Sequence, residues 1–180
     1  MNPQVVAVSS SAAHGFSKQP QDAIRLVQGE GVEGDAHRGV MVQHLYLVRR
    51  DPTQPNLCQV HLFSAEMLDE LAARGFAVQA GELGENILTR GLDLLTLPLG
   101  TLLQIGAAVL QVTGLRTPCS RIDTFRAGLQ AQLWGERDAQ GKRTRRAGIM
   151  SVVLQAGAVR PGDAITVTLP PEPHQPLPPV

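Results

Sequence analysis

The chain is poor in thiols, aromatic rings, lysine and unbroken apolar stretches, and each shortage closes off a class of function. Its two cysteines, Cys58 and Cys119, lack CxxC spacing. They cannot form a zinc site or ligate an iron–sulfur cluster by themselves, and so few point to a reducing compartment. Aromatic residues make up 3 %, so stacking on nucleic-acid bases is poorly supplied. The 16 basic and 16 acidic residues cancel, leaving no overall field toward nucleic acid or an anionic membrane. The longest apolar region, residues 92–115, is broken by Pro98, Gly100, Gln104, Gly106 and Gln111, which argues against a membrane span. Residues 1–19 carry no charged stretch ahead of an apolar run, so no secretory signal is expected. The expectation is a cytoplasmic protein with neither nucleic-acid nor membrane partners. Only Lys18 and Lys142 are lysines, against 14 arginines. An arginine fork holds phosphate or carboxylate through two parallel hydrogen bonds, so the bias permits local anion binding.

What is present suits one domain: 180 residues, 43 % of them hydrophobic, suffice for a single core. Residues 1–169 are assigned to that domain. The last eleven residues, PPEPHQPLPPV, contain six prolines and are expected to be a disordered or extended tail. Short strands are expected at 5–8, 23–27, 40–50, 102–105, 108–112, 149–154 and 164–169, with turns at Gly106 and RPGD. In LCQVHLF the alternation places Cys58, Val60 and Leu62 on one face and Leu57, Gln59 and His61 on the other, so Cys58 reads as core. Ser64 is an N-cap for a short helix that Gly75 ends. Residues 122–134 suit one or two helical turns interrupted at Gly128, and GERDAQGKRTRRAG reads as a charged loop. Strands dominate, and long helices do not alternate with them. The fold class expected is mainly β, a closed barrel or β-rich α+β domain with a few short peripheral helices.

Cys119 is the chief chemical lead. It lies in GLRTPCSRID between Arg116 and Arg121, and guanidinium charge lowers the cost of forming the thiolate, the form that reacts or binds metal. The same residues would also make an ordinary turn. Around it stand the glycine-rich segments GEGVEGDAHRG and GELGENILTRG. Asp35 and His37 in the first suit either a turn or a site. Glu85 in the second is a surface carboxylate or a partner that orients Arg116. His44 and His61 fall in strand runs and read as packed or exposed, and Arg143, Arg145 and Arg146 read as a solvated loop or a cover over an anion pocket.

Taken in order, FSK (16–18), GVEGDAHRG (31–39), GELGENI (81–87), LRTPCSRID (115–123) and AGIMSVVLQAGAVRPGDAI (147–165) resemble the MOSC domain family, in its small, stand-alone bacterial type. The resemblance implies a closed MOSC-type β-barrel that binds the molybdenum cofactor (molybdopterin), with Cys119 as metal ligand and catalytic residue. Lys18, His37, Arg116 and Arg121 then become candidates for the cofactor's phosphate, helped by backbone amides of the glycine loops, and Asn86 a hydrogen-bonding partner for the pterin. Thiolate is a soft ligand, and the cofactor's dithiolene supplies two further sulfurs, so one protein cysteine is enough. The reaction implied is reduction of a small N-hydroxylated or N-oxygenated substrate, with electrons from separate donor proteins. A sulfur carrier holding a persulfide on Cys119, loaded by a cysteine desulfurase, is the alternative. A non-catalytic barrel that binds anions or proteins is the third. Bound PLP is not expected, because its Schiff base needs a lysine and only two exist.

Overall fold

The computed structural model describes residues 2–137, 139 and 141–180; Asp138 and Gln140, inside the segment read as a charged loop, lie outside the described residues. In chain order the elements are β1 (Gln4–Ser10), β2 (Gln19–Gln21), β3 (Ile24–Val27), β4 (Gly31–Val32), α1 (Leu45–Arg50), β5 (Val60–Ser64), α2 (Ala65–Ala73), β6 (Ile87–Arg90), β7 (Leu102–Ile105), β8 (Ala108–Leu115), α3 (Arg121–Phe125), α4 (Leu129–Gln132), β9 (Trp134–Arg137), β10 (Arg143–Arg145), β11 (Ile149–Gln155), β12 (Gly157–Val159) and β13 (Ile165–Thr168). The main sheet has eight strands in the order β13-β7-β8-β11-β5-β6-β1-β2, beside a three-stranded sheet β12-β3-β4 and the hairpin β10-β9. β5 and β6 run parallel and the other neighbours antiparallel.

Among the described residues the molecule is mainly β with four short α-helices, but the closed barrel expected from the sequence does not form. The main sheet is open and mixed, with β13 and β2 at its edges. Closure would need a ladder between β1 and β13, and only the Gln4–Ala164 bridge joins them. The outer edge of β1 is already taken. β2 pairs with its end at residues 8–10, and at its start the contact is that one bridge, made by Val5 N–H to Asp163 O and Ile165 N–H to Pro3 O, beyond which the partner segment turns away at RPGD.

Two further expectations give way to tertiary contacts. Residues 40–50 are not a strand: the segment is a loop ending in helix α1, none of whose six residues is buried. The charged run 135–148 contains the hairpin β9–β10 rather than an uninterrupted loop, with Arg143 opposite Arg137 and Arg145 opposite Trp134. The capped helix forms as expected: Met67 N–H donates to Ser64 Oγ at 3.2 Å, and Gly75 takes the left-handed φ of 88°. β5 is covered on both faces, so Gln59 and His61 are buried along with Cys58, Val60 and Leu62. One face joins the core built by Val60, Leu62, Ile87, Leu103, Leu110 and Ile149. Phe63, on the other, joins a second core made by α2, Leu83, Ile122, Leu129 and Leu133. Burial on both sides anchors β5 as the beam between the cores.

Residues 170–180 run extended and are hydrogen-bonded along the sheet. Leu99 N–H donates to Gln175 O, Leu115 N–H to Pro178 O and Val180 N–H to Leu115 O, and Leu177 is buried in the first core. Gly114 admits this tail: a Cβ there would lie 2.5 Å from Pro178 O. Leu177→Ala is therefore expected to lower the unfolding free energy by about 2 kcal/mol in urea titrations. An unchanged midpoint would mean that the tail contributes nothing to the core.

Candidate functional site

Three of the sequence motifs meet at one buried carboxylate, Asp35. Lys18 Nζ donates to its Oδ2 at 2.7 Å, Asn86 Nδ2 at 3.1 Å and Ser11 N–H at 3.2 Å. Its Oδ1 accepts from His37 N–H at 2.9 Å and stands 3.2 Å from His37 Nδ1. Asn86 extends the network: its Oδ1 accepts from His61 N–H at 3.1 Å, and its Nδ2 also donates to Ser9 O at 3.1 Å. Burial works to raise the Asp35 carboxyl, but the hydrogen bonds from His37 and the charge of Lys18 outweigh it and hold it well below the usual carboxylate range. Burial draws the Lys18 ammonium below its ordinary value, against the pull of Asp35. A buried ion pair with its remaining valences filled tolerates loss of neither partner.

The glycines of GELGENI serve close approach. A Cβ on Gly81 would lie 2.5 Å from Lys18 O, and one on Gly84 would lie 2.6 Å from Phe16 O, so the loop packs directly on the FSK backbone. Its amides are occupied: Gly81 N–H donates to Glu85 Oε1, and Gly84 N–H to Gly81 O. They are not the free anion donors expected from the sequence. Glu85 is buried at 2 % exposure, and its Oε2 has no hydrogen-bond partner within the protein. Burial raises its carboxyl, although Arg116 pulls the other way.

Cys119 sits half-buried on a loop that is held from all sides. β8 leads into it, and Arg116 N–H donates to Gly148 O at 3.0 Å. Arg145 Nε donates to Thr117 Oγ1 at 2.9 Å and Gln130 Nε2 to Pro118 O at 3.0 Å, while Cys119 O accepts from Ile122 N–H at 3.1 Å. Ile122 and Leu129 then bolt the loop's far end into the second core. The thiol is thereby aimed by scaffold elements that cannot shift independently.

This loop and the Asp35 network face one pocket of about 550 Å³, within the range of about 300–1,000 Å³ typical of small-molecule and cofactor sites. Its walls include all six residues singled out in the sequence: Lys18, His37, Asn86, Arg116, Cys119 and Arg121. They differ in availability. Asn86 has its amide spent inside the protein, and Lys18 is paired with Asp35. Arg116 donates one Nη1 hydrogen bond to Leu83 O at 2.8 Å, which leaves most of its fork uncommitted. Burial lowers the Arg116 guanidinium, opposed by Cys119 and Glu85. Arg121 is exposed at the rim with its guanidinium 5.9 Å from the centre of the Phe16 ring.

The sequence reading missed a second wall, formed by His14, His44, Tyr46 and Cys58 together with His61. His37 stacks at 4.4 Å on His44 and meets His14 edge-on at 5.2 Å. Burial, aided by the nearby Arg116 guanidinium, pushes His44 down to about 3; at neutral pH its ring carries no charge. His44 Nδ1 is buried and has no hydrogen-bond partner within the protein. His61, lowered mainly by burial, spends Nε2 on Ala147 O at 2.8 Å. Burial pushes the Cys58 thiol up to about 11, so Cys58 stays a thiol. The one signal for this wall was the spacing of His14 and His44 beside GFSK and the loop after GDAHRG.

The pocket thus sets guanidinium groups against a side on which burial holds His44 and His61 uncharged, with a half-exposed thiol on the loop that carries Arg116 and Arg121. It is suited to a large ligand with an anionic end and a soft metal or sulfur end. Among the described residues no three His, Cys, Asp or Glu side chains come together as a metal site of their own, so a metal here would have to bring further ligands with it.

Asp35→Asn is expected to reduce stability at neutral pH by about 3–5 kcal/mol, because Lys18 is left buried without its counter-ion. The folded-state carboxyl of Asp35 is depressed, so its contribution is present above the unfolded value of about 3.9 and is lost as pH falls below it. Urea titrations across pH 3–7 should show the wild type losing stability toward acid more steeply than Asp35→Asn. Parallel curves would contradict the hub assignment.

A profile of the MOSC domain matches residues 50–166. No curated protein matches the chain. Among solved structures, the YuaD protein from Bacillus subtilis superposes with a TM-score of 0.74 at 23 % identity, over 93 % of this chain and 96 % of that one. YiiM from Geobacillus stearothermophilus gives 0.64 at 19 % identity, covering 97 % of this chain and 79 % of that one. YiiM from Escherichia coli gives 0.62 at 18 % identity, covering 97 % and 73 %. At these identities the likeness establishes shared fold. The family profile spans well over half of the chain and includes the loop that carries Cys119: the protein belongs to the MOSC domain family.

Proposed function

We propose that the pocket binds a molybdenum–pterin cofactor, with Cys119 as the protein's ligand to the metal, and that the loaded protein reduces small N-hydroxylated or N-oxygenated compounds. The observation that carries this reading is the convergence of one half-exposed thiol, Arg116 and Arg121 on a single pocket of about 550 Å³. The donor set fits the group: a soft thiolate for the metal, guanidinium forks for a phosphate, and the unpartnered Nδ1 of His44 for a polar group of a ligand. When bound, the cofactor supplies two-electron exchange and a metal that accepts oxygen.

The chain's own residues position and protect that chemistry. The Asp35–Lys18 pair fixes the floor, and Asn86 braces it against β5 and β1. Arg116, tied to Leu83 O on one side, presents the rest of its fork to an anion. His44 stays neutral, which suits it to hydrogen-bond an uncharged N–OH group and makes it a poor proton donor. The overall change is R–NHOH + 2 e⁻ + 2 H⁺ → R–NH₂ + H₂O. Its electrons come from outside, since a chain with two cysteines has no cluster of its own.

A persulfide carrier would use the same thiol but would not call for a wide, cation-lined pocket beside it, which favours the cofactor reading. Protein made in a host that synthesises the cofactor should contain close to one molybdenum per chain and yield a fluorescent oxidised pterin. Cys119→Ser should lose at least tenfold of the metal. Full metal retention in that variant would overturn the ligand assignment, and a persulfide on Cys119 without pterin would favour the carrier.

A further inference from the structure

The charge of this neutral chain is segregated. Residues 116–146 hold eight of its 16 basic residues but three of its 16 acidic ones, a local net charge of +5. This segment carries the Cys119 loop and the hairpin β9–β10, and Arg145 joins the two through Thr117 at the pocket wall. Arg143 and Arg145 lie 5.9 and 5.5 Å from the centre of the Trp134 ring, and Arg143 is exposed. Arg146 is ion-paired with Glu70 of α2; of the two described acids within the segment, Asp123 is occupied by Gln130 N–H, and Glu136 stands exposed on β9.

Another part of the pocket rim is apolar. Five of the eight large hydrophobic side chains exposed among the described residues fall between positions 40 and 57: Val40, Met41, Leu45, Tyr46 and Leu57. Leu45 and Tyr46, at 52 % and 63 % exposure, line the pocket mouth together with Arg49. They stand on α1, which carries four apolar residues and buries none. An exposed apolar patch beside a charged rim is the composition of a protein-binding face. Nucleic acid would use the arginines but leave the leucines and tyrosine in water.

We infer that the pocket mouth, bounded by α1 and the Cys119 loop, together with the hairpin β9–β10 that Arg145 ties to that loop, is the docking face for a small acidic redox protein that delivers electrons to the site. This rests on the reductase reading above. That reading requires two electrons per turnover from outside, and the thiol lines the same pocket as Leu45 and Tyr46 of α1. Charge complementarity selects an acidic partner and speeds encounter, while the apolar lip supplies contact area.

Trp134 is the chain's single tryptophan, and its place between two arginines of the hairpin makes it a reporter that needs no cofactor. Titration with an acidic plant-type ferredoxin should quench Trp134 fluorescence saturably at 50 mM salt, with affinity falling at least tenfold at 500 mM. The double variant Arg137→Glu, Arg143→Glu should lose at least tenfold in affinity. Arg143→Gln, which keeps a donor for the Gly135 carbonyl, should fall between. On loaded protein, the rate driven by reduced ferredoxin should drop at least tenfold in the double variant, while that driven by reduced methyl viologen stays within twofold. Salt-independent quenching, equal affinity in all variants, or tighter retention on single-stranded DNA than on ferredoxin at 150 mM salt would overturn the docking face. Failure with methyl viologen as well would instead count against the reductase reading.

Discussion

The site depends on one buried ion pair. Asp35 and Lys18 lie 2.7 Å apart with their side chains almost wholly withdrawn from water. Such a pair is costly to bury and becomes tolerable only when the remaining valences are filled. Ser11, His37 and Asn86 fill them on the carboxylate, and in doing so they tie β1, the GDAH turn and the GEN turn to a common point. The pocket floor is the outer surface of that knot. The glycines at 81 and 84 let the second turn approach the FSK loop to backbone contact, and β5 carries His61 into the same network with both of its faces buried.

Local signals were legible in the sequence, and convergent ones were not. The N-cap at Ser64 and the stop at Gly75 act within a few residues of themselves, so reading them needs no tertiary knowledge. Residues 40–50 read as a strand because of their valines and leucines, yet their conformation is set from outside. Val42 N–H donates to Gln54 O and Asn56 N–H to Val40 O, which close a loop that delivers α1 to the pocket rim. Barrel closure failed for a similar reason: the segment ahead of β13 leaves the β1 edge after one bridge and β2 takes its far end, and edge occupancy is not written in local pattern. The six candidate residues do share one pocket, but their types could not show which were already committed. Asn86 is consumed internally, Arg116 keeps an open fork, and the neutral His44 emerges only once its burial is known.

The chemistry then follows from asymmetry across the pocket. One side offers guanidinium groups, with charges partly compensated by Glu85 beneath. The other offers imidazole rings, of which His44 and His61 are held uncharged by burial. Between them Cys119 stands on a loop pinned by Arg145, Gln130 and Gly148. A rigid thiol can serve as a metal ligand without reorganising, and its placement beside an open, basic and apolar mouth leaves it reachable by a partner.

The central claim is that Cys119 completes the coordination of a pterin-bound molybdenum. X-ray absorption at the molybdenum edge of the loaded protein tests it most directly by counting sulfur neighbours. The account predicts three, two from the cofactor's dithiolene and one from Cys119; a count of two in the wild type would contradict it.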